Sequence, residues 1–469
     1  MAYFLNLEQY AEKTALIDAC GKEYTYKQLV DCADRFAEKI AARSLLFLMC
    51  SNTPASVIGY VGCLRHDIVP VMINKAIDSD LLNSLVEIYQ PEYLFFPADK
   101  LLYGYTTLDS FDNATHTQYL LGKCNKSVRH KLLPELGLLL TTSGSTGSPK
   151  LVRQSYKNLQ SNTNSIIEYL KIDDSDKAIT TLPMHYTYGL SIVNTHLAAG
   201  ACLILTEATV MKKEFWESLK HYGATTFGGV PYIFEMLKKL RFERMDLPSL
   251  RYLTQAGGHL SKELVEYFAD ICSEKDIEFI VMYGQTEATA RMAYLPWKNI
   301  REKSGSIGIA IPGGRFYLLD NNNNEISAVD EVGELAYEGD NVTLGYAENS
   351  EDLAMPDENK GRLITGDMAK VDAEGFYFIV GRKKRFLKLF GSRINLDEVE
   401  VLLKAKEWEC ACAGTDDNLK IYIINESDKE NVVKYLSESL SISRAGFSVI
   451  VIDAIPRNEA GKILYSALN

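Results

Sequence analysis

Positive charge is scarce in this chain of 469 residues: 50 lysines and arginines face 62 aspartates and glutamates, a formal charge of −12. A protein that grips nucleic acid through its phosphates needs a basic face, so this balance argues against a nucleic-acid partner. Long apolar runs are absent as well. None reaches the roughly 20 residues that cross a bilayer, so no membrane insertion is expected. The opening stretch, MAYFLNLEQYAEK, lacks a basic segment followed by an apolar one, and no secretory leader is expected from it. The nine cysteines, at 20, 32, 50, 63, 124, 202, 272, 410 and 412, include no C-x-x-C pair. Cys410 and Cys412 have no partner at zinc spacing. Buried thiols in a reducing, cytoplasmic setting are the expectation.

What is present is an ordinary globular mixture, 46% hydrophobic and 24% charged, in a chain long enough for two or three domains. Residues 13–41 read as a strand near Ala15, a turn at Gly21, a second strand at Tyr24, and a helix with apolar positions at Leu29, Cys32, Phe36 and Ile40. From 43 to 140 short apolar strands (SLLFLMC, IVPVMI, EYLFFPA) alternate with helical stretches, Ser51–Leu64 and Asp78–Tyr89. That alternation predicts α/β architecture with parallel-type sheets covered by helices. Residues 100–131 are polar and predict an irregular surface excursion. Residues 305–346 predict an antiparallel β-subdomain. The end of the chain alternates IYIIN, a helix from Lys429 to Leu440, and FSVIVID, a small α+β module.

Leu140 to Leu151, LTTSGSTGSPKL, is the densest cluster of chemistry. Ser143, Ser145 and Thr146 can donate to phosphate oxygens. Gly144 and Gly147 let backbone N–H groups come close, and Lys150 adds a charge. The spacing is not that of a Walker loop, and a flexible Ser/Gly turn is the plain alternative. Other glycines raise the same choice. Gly228-Gly229, before a helix at Pro231, leaves room either for a ligand or for tight strand–helix packing. Gly257-Gly258 ends another strand before Ser261. The strand FIVMYGQTEA delivers Tyr283, Gly284, Gln285, Thr286 and Glu287 at its carboxyl end, where open α/β sheets bind ligands.

These stretches, in this order, resemble the adenylate-forming enzymes: acyl-CoA synthetases, nonribosomal-peptide adenylation domains and luciferases. LTTSGSTGSPK resembles their phosphate loop, although Leu151 stands where a glycine often follows the lysine. YGQTE resembles Y-G-x-T-E, TGD at 365–367 their T-G-D, and PRNEAGKI their closing P-R-x-x-x-G-K-[IV]. The resemblance implies a large multi-sheet domain, residues 1–380, of two parallel-type α/β sheets and a β-subdomain, and a small mobile α+β lid, residues 381–469. It also implies roles. Ser143 to Gly147, Lys150, Gly257, Gly258, Tyr283, Gly284, Gln285 and Thr286 would hold the nucleotide. Asp367 and Arg382 would hold its ribose, and Glu287 would bind magnesium. Thr142, Thr286, Glu287 and Lys462 would form the catalytic set. Lys384 would be the hinge, and Gly391 and Arg393 the loop for the thiol step, with Leu396 replacing a usual proline. The run KKRFLK could otherwise be read as a basic nucleic-acid patch.

The implied reaction is a two-step ligation using ATP and Mg2+. A carboxylate attacks the α-phosphorus and expels pyrophosphate. A thiol, from coenzyme A or the phosphopantetheine arm of an acyl carrier protein, then displaces AMP. Tyr186, Tyr188, Gly228 and Gly229 would line the acid pocket, with His185 one residue before the aromatic position. The alternative for both tyrosines is plain aromatic packing. PMHYTYGLSI at 183–192 contains no aspartate to hold an ammonium group, so an acid without an α-amino group is expected. The segment CACAGTDDN looks trimmed beside relatives, which favours the carrier protein. Two other readings stay open: a degenerate member that binds nucleotide without turnover, and an oxidative relative that spends the adenylate on light.

Overall fold

The structure is a computed structural model that describes residues 3–100, 102, 104–112, 118–126, 128–141, 150–389, 392–415, 417–439, 444–457 and 463–468. The chain forms two compact units. The first comprises residues 1–143, 147–315 and 338–363; the second comprises 144–146, 316–337 and 364–469.

The first unit is built on two sheets. One has eight strands, in the order 345–347, 151–155, 136–141, 69–74, 45–50, 93–97, 118–124, 105–112. Its centre is parallel, with Leu45–Cys50 paired to Val69–Asn74 and to Tyr93–Pro97. Phe47, Met49, Val71 and Ile73 form its dry interior. Helices Pro54–Arg65 and Ser79–Tyr89 sit where the apolar spacing puts them. Proline opens the first, and the Asp78 side chain caps the second. Residues 105–112 and 118–124 are not the irregular excursion expected. They pair as an antiparallel edge hairpin that extends this sheet. Tyr119, Leu121 and Gly122 are buried, whereas most of 105–112 is exposed, and it is this exposed outer strand that lowers the segment's average hydrophobicity.

The other sheet has nine strands, in the order 309–310, 293–295, 278–283, 252–255, 226–229, 177–179, 202–204, 14–17, 23–25. Six of them, from Thr14–Ile17 to Glu278–Tyr283, run parallel. Helix Tyr156–Leu170 starts on a capping box in which Ser155 and Asn158 exchange side-chain-to-backbone bonds. Helix Thr187–Ala199 ends on Gly200 at φ 75°, the left-handed stop that glycine accepts. Among the described residues no helix is long and apolar enough to cross a membrane.

Arg153 decides how the first sheet is edged. It lies in Leu151–Ser155, directly after the Ser/Gly-rich loop, and is fully buried. Its guanidinium donates to the carbonyls of Tyr346 (3.0 Å), Met355 (2.6 Å) and Leu344 (2.9 Å) and to the Glu358 carboxylate (2.6 Å). Strand Gly345–Ala347 pairs antiparallel with the Arg153 strand. One planar donor group thus fastens residues 344–358 to the sheet.

The second unit holds strands Gly314–Leu319, Glu325–Ile326, Gly333–Gly339, Arg362–Val371 and Tyr377–Arg382 in one five-stranded sheet, with the outermost residues of three strands counted in the first unit. It continues into an α+β module of three strands (410–415, 418–423, 447–451) and helices Leu396–Lys404 and Lys429–Ser439. Leu396, Leu403, Ile421 and Val432 close its core. Cys410 and Cys412 lie in that core as free thiols. Of the other seven cysteines, Cys50, Cys63, Cys202 and Cys272 are buried, Cys32 and Cys124 partly so, and Cys20 is exposed. Arg385 ties the start of the module together through Asp397, Glu400 (2.6 Å) and the Cys412 carbonyl (2.9 Å).

Replacing Arg153 by methionine keeps the bulk and removes every donor from that edge. The variant should lose about 3–5 kcal/mol of stability, the usual cost of breaking a buried charged network. Urea unfolding of the two proteins measures it.

Candidate active site

Parallel strands bring three carboxyl ends side by side. In register, Gly229 pairs with Gln255, and Gln255 with Val281. The Gly228-Gly229, Gln255–Gly258 and Tyr283–Glu287 segments therefore share one edge of the sheet, the edge where parallel α/β sheets bind ligands.

The Tyr283–Glu287 segment is tightly braced. A Cβ on Gly284 would fall 1.9 Å from the Ala290 carbonyl oxygen, so no other residue fits the turn. Gln285 donates to the Tyr283 hydroxyl at 3.2 Å. Thr286 to Ala288 make one 3-10 turn, ended by Thr289 at φ 67°, ψ −56°. For a β-branched residue that conformation is strained. It is held from three directions. The Thr187 hydroxyl and the Gln154 amide (3.5 Å) donate to the Thr289 carbonyl, and the Thr289 hydroxyl donates to the Asn341 carbonyl at 2.7 Å. Nothing in the sequence marked Thr289. A threonine after T-E-A reads as an ordinary loop residue until its φ is known.

Glu287 is fixed by Tyr346, whose hydroxyl donates to its carboxylate at 2.5 Å. The Glu287 carbonyl accepts from the Thr343 N–H (3.0 Å) and hydroxyl (2.9 Å). Burial and the Glu287 charge both raise the Tyr346 pKa, so the phenol keeps its proton. Lys150 lies 6.0 Å over the Tyr346 ring and pairs with Glu348. Lys150 and Glu287 thus meet one tyrosine, the first over its ring and the second at its hydroxyl. Residues 142–149, including Thr142, Ser143, Gly144, Ser145, Thr146 and Gly147, lie outside the described residues. The strands that flank them are paired as far as Thr141 and Leu151.

The aromatic pair sits at the start of helix Thr187–Ala199. The Tyr186 hydroxyl leans over the second turn, 2.5 Å from where a Cβ on Gly257 would stand. Gly257 itself has φ 85°. Tyr188 is buried, and its hydroxyl meets the Thr254 carbonyl (2.9 Å) and hydroxyl (2.8 Å). That hydroxyl also explains Gly228, whose Cβ would lie 2.7 Å from it. Phe234 and Ile233 crowd Gly229 in the same way, at 2.9 and 3.0 Å. Close packing accounts for the bare Cα at both positions, and Gly258 packs on Pro231. Burial pushes His185 down to about 4 and Tyr186 up to about 12, so both are neutral near pH 7.

In the second unit, Asp367 and Arg382 face each other across paired strands, with Nε 3.3 Å from the carboxylate. Asp367 is buried and Arg382 exposed. Lys384 lies in the turn Lys383–Arg385, and Arg393 in strand Ser392–Asn395. Gly391 and Lys462 lie outside the described residues. Arg457 and Ile463, on either side of Lys462, form an antiparallel bridge.

Among the described residues no cluster of three or more histidine, cysteine or acidic side chains could form a metal cage. A lone braced carboxylate at Glu287 fits a magnesium ion that takes its other oxygens from a nucleotide and water, the usual way proteins hold that ion.

Residues 4–347 match the model of the family described as AMP-binding enzyme. The chain belongs to the AMP-binding enzymes. Relatives of this AMP-binding enzyme include 2-succinylbenzoate–CoA ligase of Listeria innocua, 25% identical over 96% of this chain and 95% of the relative. Probable CoA ligase CCL5 of Humulus lupulus is 27% identical over 70% of this chain. This chain covers only about three-fifths of that relative, 62%, and of rice 4-coumarate–CoA ligase-like 4, 61%. The solved O-succinylbenzoate coenzyme A synthetase of Bacillus subtilis with AMP has the same fold. Its TM-score is 0.80 at 20% identity, covering 100% of this chain and 98% of that one.

His185 and His196 are both held near pKa 4 by burial, below the 6.5 of a free histidine. Between these values the unfolded chain binds more protons than the folded one, so stability falls as pH drops from about 6.5 to about 4. Each histidine should contribute on the order of 1 kcal/mol per pH unit in that window. Chemical unfolding from pH 4.5 to 7.5 checks this, and His196→Gln should flatten the slope.

Proposed function

We propose that this AMP-binding enzyme is an AMP-forming acid–thiol ligase. It activates a carboxylic acid as acyl-AMP with release of pyrophosphate, then passes the acyl group to the thiol of coenzyme A or of a carrier-protein phosphopantetheine. The observation that carries the reading is the braced carboxylate of Glu287, set with Lys150 about the Tyr346 ring at the carboxyl edge of a parallel sheet. The relatives' names support a thioester product. The acids they name run from oxalate and 2-succinylbenzoate to long-chain fatty acids, so they do not choose the acid.

Both reactants are anions, and the chain's own groups must bring them together. Ser143, Ser145, Thr146 and Lys150 would hold the β- and γ-phosphates, and Tyr283 would stack on adenine above Gly257-Gly258. Asp367 would accept the ribose hydroxyls, with Arg382 beside it. Glu287 would hold the magnesium that comes with the nucleotide, which supplies charge neutralisation at the phosphates. Thr142 and Thr286 would donate to the α-phosphate, and Tyr186, Tyr188, Gly228 and Gly229 would bound the acid. Lys462 would bridge the carboxylate and phosphate oxygens and fix an in-line approach. For the second step we propose that residues 381–469 turn about Lys384. That movement withdraws Lys462 and brings in the Gly391–Arg393 segment to admit the thiol. Cytoplasmic location is part of the same proposal.

Lys462→Ala separates the two halves of the reaction. Pyrophosphate release should fall about 100- to 1,000-fold, the range for losing one donor to a developing charge. Thioester formation from supplied acyl-adenylate should survive. Equal loss in both assays, followed across a panel of acids with and without coenzyme A, would overturn this division of roles.

A further inference from the structure

Behind the pocket aromatics lies a charge that the reaction above does not use. Arg291 is only 2% exposed. It follows the strained turn at Thr289, and its backbone carbonyl is fixed by Asn162 at 2.8 Å and Asn341 at 3.2 Å. Its guanidinium has one hydrogen-bond acceptor among the described residues, the Tyr169 hydroxyl, at 3.3 Å. It lies 5.0 Å from the centre of the Tyr188 ring. Its Nε is buried with no acceptor. No carboxylate pairs with it among the described residues. Asp176, a buried carboxylate of the same region, is taken by Arg251 (3.1 and 2.5 Å) and the Thr225 hydroxyl. Arginines this deep in a protein are nearly always matched by an anion, because an unmatched buried charge costs several kcal/mol.

Arg291 also lines a cavity of about 10 Å³ between helix Thr187–Ala199 and the sheet, with apolar walls from Leu170, Ile192 and Phe227 and polar ones from Tyr252 and Thr254 beside Gly228. As the side chains stand that is room for one water-sized group, so a carboxylate enters only if the Tyr188 ring moves. Gly228 and Thr254 also belong to the strand ends where the acid is proposed to bind. From there the steps are short: the Tyr186 and Tyr188 rings are 6.4 Å apart, and the Tyr188 ring is 5.0 Å from Arg291.

The geometry points to Arg291 as a specificity residue that receives a second anionic group on the acid, so that the substrate is a short dicarboxylic acid. The inference rests on the acid–thiol ligase reading and adds to it. One carboxylate reacts at the nucleotide. The other reaches past Tyr188 to the guanidinium, where a paired, bidentate contact supplies the anion it lacks. Tyr188 must turn aside from Thr254 to let it through, which makes its ring the gate between the two ends of the pocket.

The test compares matched acids: succinate with butyrate, glutarate with pentanoate, adipate with hexanoate. Pyrophosphate release by the wild-type protein should favour a dicarboxylate over its partner at least tenfold in kcat/KM. Arg291→Met should erase that preference through KM and leave the monocarboxylates unchanged, while Arg291→Lys should keep part of it. The thermal unfolding midpoint, read with ATP and each acid, reports binding independently of turnover. Turnover of monocarboxylates alone would overturn the inference and leave the ligase reading standing. Dicarboxylate protection that depends on Arg291, without pyrophosphate release, would do the reverse. A loss in Arg291→Met that is equal for every acid, with a lowered midpoint, would make the residue merely structural. Neither turnover nor protection by any of the acids would overturn both.

Discussion

The carbonyl and hydroxyl of Thr289 are the joint on which the site of this enzyme depends. That one residue is bonded to Gln154, just beyond the Ser/Gly-rich loop, to Thr187, at the head of the pocket helix, and to Asn341, on the segment that leads to Tyr346. Its left-handed backbone is unfavourable for threonine by itself, on the order of 1–3 kcal/mol. The surrounding bonds over-determine it, and the turn bearing Thr286 and Glu287 cannot relax without disturbing all of them. Buried Arg153 completes the frame by fastening 344–358 to the neighbouring sheet.

Rigid placement matters because the proposed chemistry is a problem of charge. A carboxylate and a polyphosphate repel each other, and a floppy cation would be as free to follow water as substrate. Groups fixed beforehand lose little on reorganising and act at full strength in a dry cleft. Glu287 under the Tyr346 hydroxyl is fixed in this sense. Lys150 is paired with Glu348 at the surface; in the proposed chemistry it would exchange that partner for phosphate, a small cost for an exposed ion pair.

Much of this was legible in the sequence, for reasons that differ by residue. The strand ends at 228–229, 255–258 and 283–287 could be placed because apolar runs stopped at glycines, and parallel sheets bind ligands at that edge. Helix Tyr26–Ala37 announced itself by its period, with apolar positions at Leu29, Cys32 and Phe36. The strand pair 105–112 and 118–124 did not, since the outer strand is largely exposed and its mean polarity resembles a loop. Arg153 was illegible for the opposite reason: an arginine in LVRQS reads as solvated, and only the fold shows five oxygens converging on it. Arg291, in RMAYLP, is illegible for the same cause. Gly228 and Gly229 carried a true signal of crowding, but the sequence could not say that protein side chains do the crowding.

The central claim is that the acid's own oxygen attacks the α-phosphorus of ATP. A carboxylic acid carrying heavy oxygen in its carboxyl group, turned over with ATP and a thiol, tests it in one mass spectrum. The claim predicts heavy oxygen in the phosphate of AMP, one atom for each thioester formed. Label in inorganic phosphate alongside ADP, or AMP released without label, would contradict it.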